Sequence, residues 1–141
     1  RKFMVRELVK DQFFLRLKSE PMTKEDMSVV EDLKDTLRAY ADECVGMSAN
    51  MIGINKAVIA IQPENSNEMT VMINPKILKK SGAYETEEGC MCLEGERKAV
   101  RHRNITLEYF DEDFKKHIKL YSGYIAEIIE HECDHLEGII I

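Results

Sequence analysis

Tryptophan is absent from the 141 residues, and only three prolines and seven glycines interrupt them. Proline and glycine this sparse exclude a collagen-like repeat or a low-complexity linker. Without an internal repeat, a single domain over 1–141 is expected, long enough to bury a core. No apolar run approaches the roughly 20 residues that span a bilayer. The start, Arg1-Lys2-Phe3-Met4, is followed by neither the apolar region nor the cleavage site of a signal peptide. Membrane association is therefore not expected, and the cytoplasm is the expected compartment. Positive charge is also short. Twenty Lys and Arg against 26 Asp and Glu give a formal net charge of −6. That disfavours nucleic acid, whose phosphates call for a cationic surplus. Four cysteines without an export signal read as reduced thiols or metal ligands before disulfides.

What is present falls into a few periodic segments. Thr23-Lys24-Glu25-Asp26 has a hydroxyl and, three residues on, a carboxylate, the pattern that opens a helix. Met27, Val30, Leu33, Leu37, Tyr40 and Ala41 follow at helical spacing, with an end near Asp42 to Cys44. Lys56 to Ile61 and Met69 to Ile73 are β-rich. Asn74-Pro75 is expected to interrupt the second, because proline cannot donate to a ladder. Ile105 to Phe110 alternates as a strand, and His117 to Tyr121 does so more weakly. A last helix is expected from about Ser122 to Leu136, with Gly138 as its stop. Strands bracketed by two helices, without regular alternation, give an α+β fold with mainly antiparallel pairing.

The last helix carries the chemistry. His131 and His135 are four apart, so both imidazoles can reach one metal. On a wheel of about 100° per residue, Tyr124, Ile125, Ile128, Ile129 and Leu136 form an apolar stripe. Glu127, Glu130, Asp134 and Glu137 take the other side. Glu132 falls inside the stripe. A buried carboxylate is costly unless its charge is compensated. A cation beside the imidazoles would compensate it, and a carboxylate next to a metal-activated water is what hydrolysis needs. The bland alternative is a chance match with a surface glutamate, and the position in the stripe weighs against it.

A third ligand is needed, with Cys90, Cys92, His102, His117 and the acidic residues as candidates. Glu88-Gly89-Cys90-Met91-Cys92 stands out. Gly89 allows close backbone approach, and a thiolate binds zinc or ferrous iron well. Cys92 and Cys133 read as packed thiols, His102 and His117 as surface residues. Arg97, Lys98, Arg101 and Arg103 form a basic cluster, either a solvated strand edge or an anchor for a carboxylate or peptide backbone.

Glu88-Gly89-Cys90-Met91-Cys92 resembles the EGCLS motif of peptide deformylases. His131-Glu132-Cys133-Asp134-His135 resembles their HExxH motif, with Leu136 and Gly138 also matching. Val45-Gly46-Met47-Ser48-Ala49-Asn50-Met51-Ile52-Gly53 is similar to their GxGLAAxQ(I/V)G motif, and Asn74-Pro75 fits as well. The resemblance runs from Val45 to Ile139. It implies an α+β fold with a central HExxH helix packed against antiparallel β-sheets. It implies a hydrolase of protein biosynthesis that removes the N-formyl group from N-formylmethionyl peptides or nascent chains. Cys90, His131 and His135 would hold one divalent metal ion, natively Fe2+, with Zn2+, Ni2+ or Co2+ as replacements. Glu132 would be general base and acid, and the Met91 backbone N–H would donate to the formyl oxygen. Gly46 would let the backbone approach the substrate. Met47, Ser48, Asn50, Met51, Gly89 and Arg97 are the expected substrate contacts.

The departures set the alternatives. Met51 stands where the family has a glutamine whose amide helps hold the formyl oxygen, and methionine has no N–H. Losing one such donor costs on the order of a hundredfold in rate or more. Ser48 and Asn50 replace Ala and Pro, and Asn50 is the candidate substitute donor if the loop shifts. Cys92 replaces a serine and could pair with Cys90 under oxidation. Glu130 replaces a common glutamine. The chain stops at Ile141 without the extension by which many relatives dock on the ribosome, so ribosome contact is not expected. The competing functions are a working deformylase, a weakened homologue that binds metal and peptide N-termini, and a peptidase of internal bonds. The cysteine ligand and the short chain argue against the last.

Overall fold

The computed structural model describes residues 4–63, 68–90 and 92–141. Three α-helices, α1 (Gln12–Leu15), α2 (Met27–Ala39) and α3 (Gly123–Leu136), accompany five strands. These are β1 (Gly46–Ser48), β2 (Val58–Ile61), β3 (Thr70–Cys90), β4 (Leu93–Phe110) and β5 (Lys116–Ser122). They form one sheet in the order β1-β2-β3-β4-β5, and every neighbouring pair is antiparallel. The α+β expectation holds. No helix among the described residues is long and apolar enough to cross a membrane.

One end of the sheet is sandwiched. Val58 and Ala60 of β2 join the cluster of α2 (Val30, Leu33, Leu37), while Ile59 and Ile61 join that of α3 (Ala126, Ile128, Ile129). Burial on both faces explains why β2 is a continuous apolar run rather than an alternating one. The Thr23 N–H donates to Asp26 Oδ2 at 3.0 Å just before α2, as the capping pattern requires.

Three expectations need correction. Asn74-Pro75 does not end β3. The strand runs through a register shift between Ile73 and Lys76, with Asn74 at φ 51°. The Asn74 side chain bonds both Met22 N (2.8 Å) and Met22 O (3.0 Å), so the bulge is pinned from outside. Second, β3 and β4 make a hairpin far longer than the apolar runs within it, with an exposed stretch from Leu78 to Ala83 before its tip returns to the core through Cys90, Cys92 and Leu93. Third, Tyr124 and Ile125 are exposed and Glu130 is buried, against the wheel. Glu130 accepts from His102 N at 2.6 Å and faces His102 Nδ1 at 3.0 Å, which compensates its burial.

Candidate metal centre and active site

α3 brings His131, Glu132 and His135 against β1 and the end of the β3–β4 hairpin. The two Nε2 atoms lie 3.1 Å apart. One donor atom each from Cys90, His131 and His135 fall within 4.8 Å of one another. His131 Nδ1 is 2.8 Å from Glu88 Oε1. A carboxylate only accepts, so Nδ1 carries a ring hydrogen, and Nε2 is the ring atom turned toward His135.

Glu88 is itself gripped. Arg101 Nη2 donates to Glu88 Oε1 at 2.7 Å and Arg101 Nε lies 3.0 Å from the same oxygen. Arg101 Nη1 donates to Asp134 Oδ2 at 2.6 Å. One buried guanidinium therefore aims the carboxylate that aims His131, and fixes the α3 residue beside His135. The sequence reading left Arg101 unassigned within its basic cluster. The usable signal was parity: Arg101 stands opposite Tyr84 in the register, so it shares a face with Glu88.

Glu132 is 4 % exposed, and its Oε1 is buried without a hydrogen-bond partner among the described residues. Gly46 makes room for it. A Cβ at that glycine would lie 2.8 Å from Ile128 Cγ2 and 3.1 Å from Glu132 Oε2. Burial pushes the Glu132 carboxyl up, against the pull of the two imidazoles. The Cys90 thiol is held well below the usual thiol range, first by a hydrogen bond with Cys92 and then by the imidazoles. Cys92, its partner, is pushed up and keeps its proton. Burial pulls His131 down, but bonds to Cys90 and Glu88 outweigh it and raise it to about 10. A thiolate and two imidazoles whose Sγ and Nε2 atoms converge on one point are a fitting cage for a divalent cation, which would replace the proton His131 otherwise keeps.

Cys90, His131 and Glu132 line a cleft of about 580 Å3, while His135 is buried behind its wall. Gly46 and Met51 lie on one side, Gly89 and Cys90 on the hairpin, and Ile128, His131 and Glu132 on α3. Met51 is 2 % exposed, and its Sδ lies 3.5 Å from Ser48 N. Met47, Ser48 and Asn50 are not on the wall. Met47 packs in the core with Leu33 and Leu37. Ser48 Oγ donates to Asn50 Oδ1 at 2.5 Å, and Asn50 Nδ2 donates to the His135 carbonyl at 2.8 Å. Asn50 is thus a brace behind His135, which corrects its assignment as a substrate contact and as a stand-in for the missing amide. Arg97 is likewise off the wall, with Nη1 3.4 Å from the Glu94 carbonyl. The expected Met91 donor lies outside the described residues. Cys92 is buried, with its N–H 3.5 Å from Cys90 Sγ. Cys44 was not anticipated on the wall. Its thiol donates to Gly46 O at 2.7 Å, and burial pushes it up to about 12.

The profile of the polypeptide deformylase family matches residues 5–141. A peptide deformylase of Clostridium beijerinckii is 49% identical over 138 residues, covering 98% of this chain and 100% of that protein. Peptide deformylase 1 of Clostridium perfringens is 31% identical over 136 residues, covering 89% and 92%. Among solved structures, a Legionella pneumophila peptide deformylase superposes with TM-score 0.86 at 29% identity, over 96% of this chain and 83% of that one. An actinonin-bound class I type b peptide deformylase from Acinetobacter baumannii has TM-score 0.85 at 25% identity, over 97% and 95%.

Proposed function

The chain belongs to the polypeptide deformylase family, and from that membership we propose that it is a metal-dependent hydrolase that removes the N-formyl group from formyl-methionyl peptides. Water attacks the formyl carbon, the C–N bond breaks, and formate and a free amine leave. The observation that carries this reading is Glu132, a buried carboxylate with a bare oxygen on the wall of the cleft, beside the Cys90-His131-His135 set.

Cys90, His131 and His135 would hold the cation. When bound, a divalent ion supplies Lewis-acid activation of water and of the formyl oxygen. Ferrous iron is our assignment, since a thiolate with two imidazoles suits it, and zinc, nickel and cobalt fit the same donors. Glu132 Oε1 takes the proton of the attacking water and returns it to the amine nitrogen as the bond to carbon breaks. Its raised pKa suits a group that must hold a proton between those two events. Gly46 keeps the wall thin where the substrate backbone passes. Val45 and Ile128 offer an apolar surface for the methionine side chain. We place the reaction in the cytoplasm, where a thiolate ligand stays reduced, and on nascent chains.

Met51 favours a second reading, a weakened homologue that binds metal and peptide N-termini. Met51 lines the cleft and its side chain has no N–H to give. Formate release from formyl-Met-Ala-Ser by iron-, nickel- and zinc-loaded protein, with metal analysis alongside, separates the two. Release is expected, slower than in a relative with the glutamine. No release with any metal would leave the weakened homologue.

A further inference from the structure

α3 also lines a second cavity, of about 310 Å3, which shares no residue with the cleft. Its charge is split between two walls. Lys76 and Lys80 come from β3, Asp134 and Glu137 from the end of α3. Among the described residues no ion pair joins one wall to the other. Lys80 Nζ is instead 3.8 Å from Glu130 Oε2. Arg101 Nη1 donates to Asp134 Oδ2 at 2.6 Å, and Lys18 Nζ is 3.5 Å from Glu137 Oε2. Lys76 forms no ion pair or side-chain hydrogen bond among the described residues. Much of the remaining lining is apolar, through Ala57, Pro75, Ile77 and Leu136.

A second, independent mark is Ser19. It stands on this wall, is 7% exposed, and its Oγ is buried without a partner among the described residues. Buried hydroxyls are ordinarily bonded. The end of α3 does not need it, because its last carbonyls are already taken. Cys133 O accepts from Glu137 N, Asp134 O from Ile139 N, His135 O from Gly138 N, and Leu136 O from Ser19 N. A concave, largely apolar site with a few convergent polar groups is the usual form of a small-molecule pocket. A simple anion here would meet two carboxylates, and a simple cation two ammonium groups, each a like-charge cost. A zwitterion meets neither. We propose that this cavity binds a free apolar α-amino acid, its carboxylate toward Lys76 and Lys80, its ammonium toward Asp134 and Glu137, and its side chain on the apolar lining. Ser19 completes the site with its hydroxyl. The inference stands apart from the deformylase reading, since no residue of the cleft enters it.

The test titrates L-leucine into the metal-loaded full chain and follows methyl NMR signals of Ala57, Ile77 and Leu136. These signals should move with a Kd on the order of 1 mM. N-acetyl-leucine lacks the ammonium and leucinamide lacks the carboxylate, so each should bind at least about tenfold more weakly. Lys76 and Glu137 are exposed, so their variants should fold. In Lys76→Met the advantage of leucine over leucinamide should fall toward one, and in Glu137→Gln its advantage over N-acetyl-leucine should shrink likewise. Each readout is a ratio within one preparation, so a partly misfolded variant does not alter it. Signals that stay still up to about 20 mM leucine, well above that Kd, overturn the proposal. Equal affinity for either analogue overturns it too, as do ratios unchanged in both variants. Shifts confined to Val45 and Ile128 would place leucine in the cleft and also overturn it.

Discussion

α3 takes part in two buried glutamate–histidine pairs, and only one of them lies in the active site. On one side Glu88 Oε1 receives His131 Nδ1 at 2.8 Å. On the other, Glu130 holds the His102 N–H at 2.6 Å and the His102 ring at 3.0 Å, with Lys80 Nζ 3.8 Å away. Both glutamates are nearly inaccessible. The second pair is closed: each oxygen of Glu130 has a partner, and its effect is to tie α3 to β4. The first is open, because His131 Nε2 turns toward His135 and Cys90 and the neighbouring Glu132 Oε1 has no partner among the described residues. A buried ion pair is therefore a poor sign of chemistry by itself. The unsatisfied atom next to it is the better sign.

That contrast can be broken in several places. Glu132→Gln should cut formate release by about a hundredfold to ten-thousandfold while metal content stays near one ion per chain, and a mild loss would remove Glu132 from the proton path. Met51→Gln should raise kcat/KM by up to about a hundredfold by restoring an amide donor at the open pole. A flat response would mean that another group already serves there. Arg101→Met strips Glu88 and Asp134 of their shared cation. Chemical denaturation should show a loss of about 3–5 kcal/mol, and metal titration a fall in affinity of about 10- to 100-fold.

Smaller effects are expected at the closed pair and at a third, half-buried one. Glu130→Gln keeps an acceptor for the His102 N–H, so stability should drop by only about 1 kcal/mol, with formate release as in the native protein. Activity lost with Glu130 would erase the distinction between the poles. Asp111 sits 2.7 Å from His117 Nε2 on the connection between β4 and β5. The His117 bond and the Lys115 and Asp113 N–H groups hold its carboxyl below the ordinary 3.8. A depressed folded value means that its contribution is present above pH 3.8 and fades as pH falls through the lowered value. Asp111→Asn should flatten that small acid limb in a pH series of thermal melts.

The parts of the fold that follow a period were legible. The α2 residues Val30, Leu33 and Leu37 repeat at helical spacing and are all in the core, and the apolar stripe of the last helix points Glu132 inward, where it lies. The full length of the hairpin was not, because its exposed middle, Leu78 to Ala83, has no buried face and shows no apolar alternation. Glu130 and Arg101 were misjudged for a related reason. A charged residue reads as surface until its partner is known, and those partners lie on other elements, Glu130 with His102 and Arg101 with Glu88 and Asp134. Asn50 was misassigned because a motif position reveals that a residue matters without revealing the direction of its side chain.

Cys90 ends β3 at the tip of the hairpin, and its imidazole partners sit on the last helix. An ion shared by the three is then a crosslink, joining parts of the chain some forty residues apart much as a disulfide would. With such an ion bound, rigidity and chemistry would depend on the same atom, and a copy without it would lack a clamp. Such a copy would expose its hairpin tip to proteases sooner, so that turnover of the enzyme in the cell could follow its metal status.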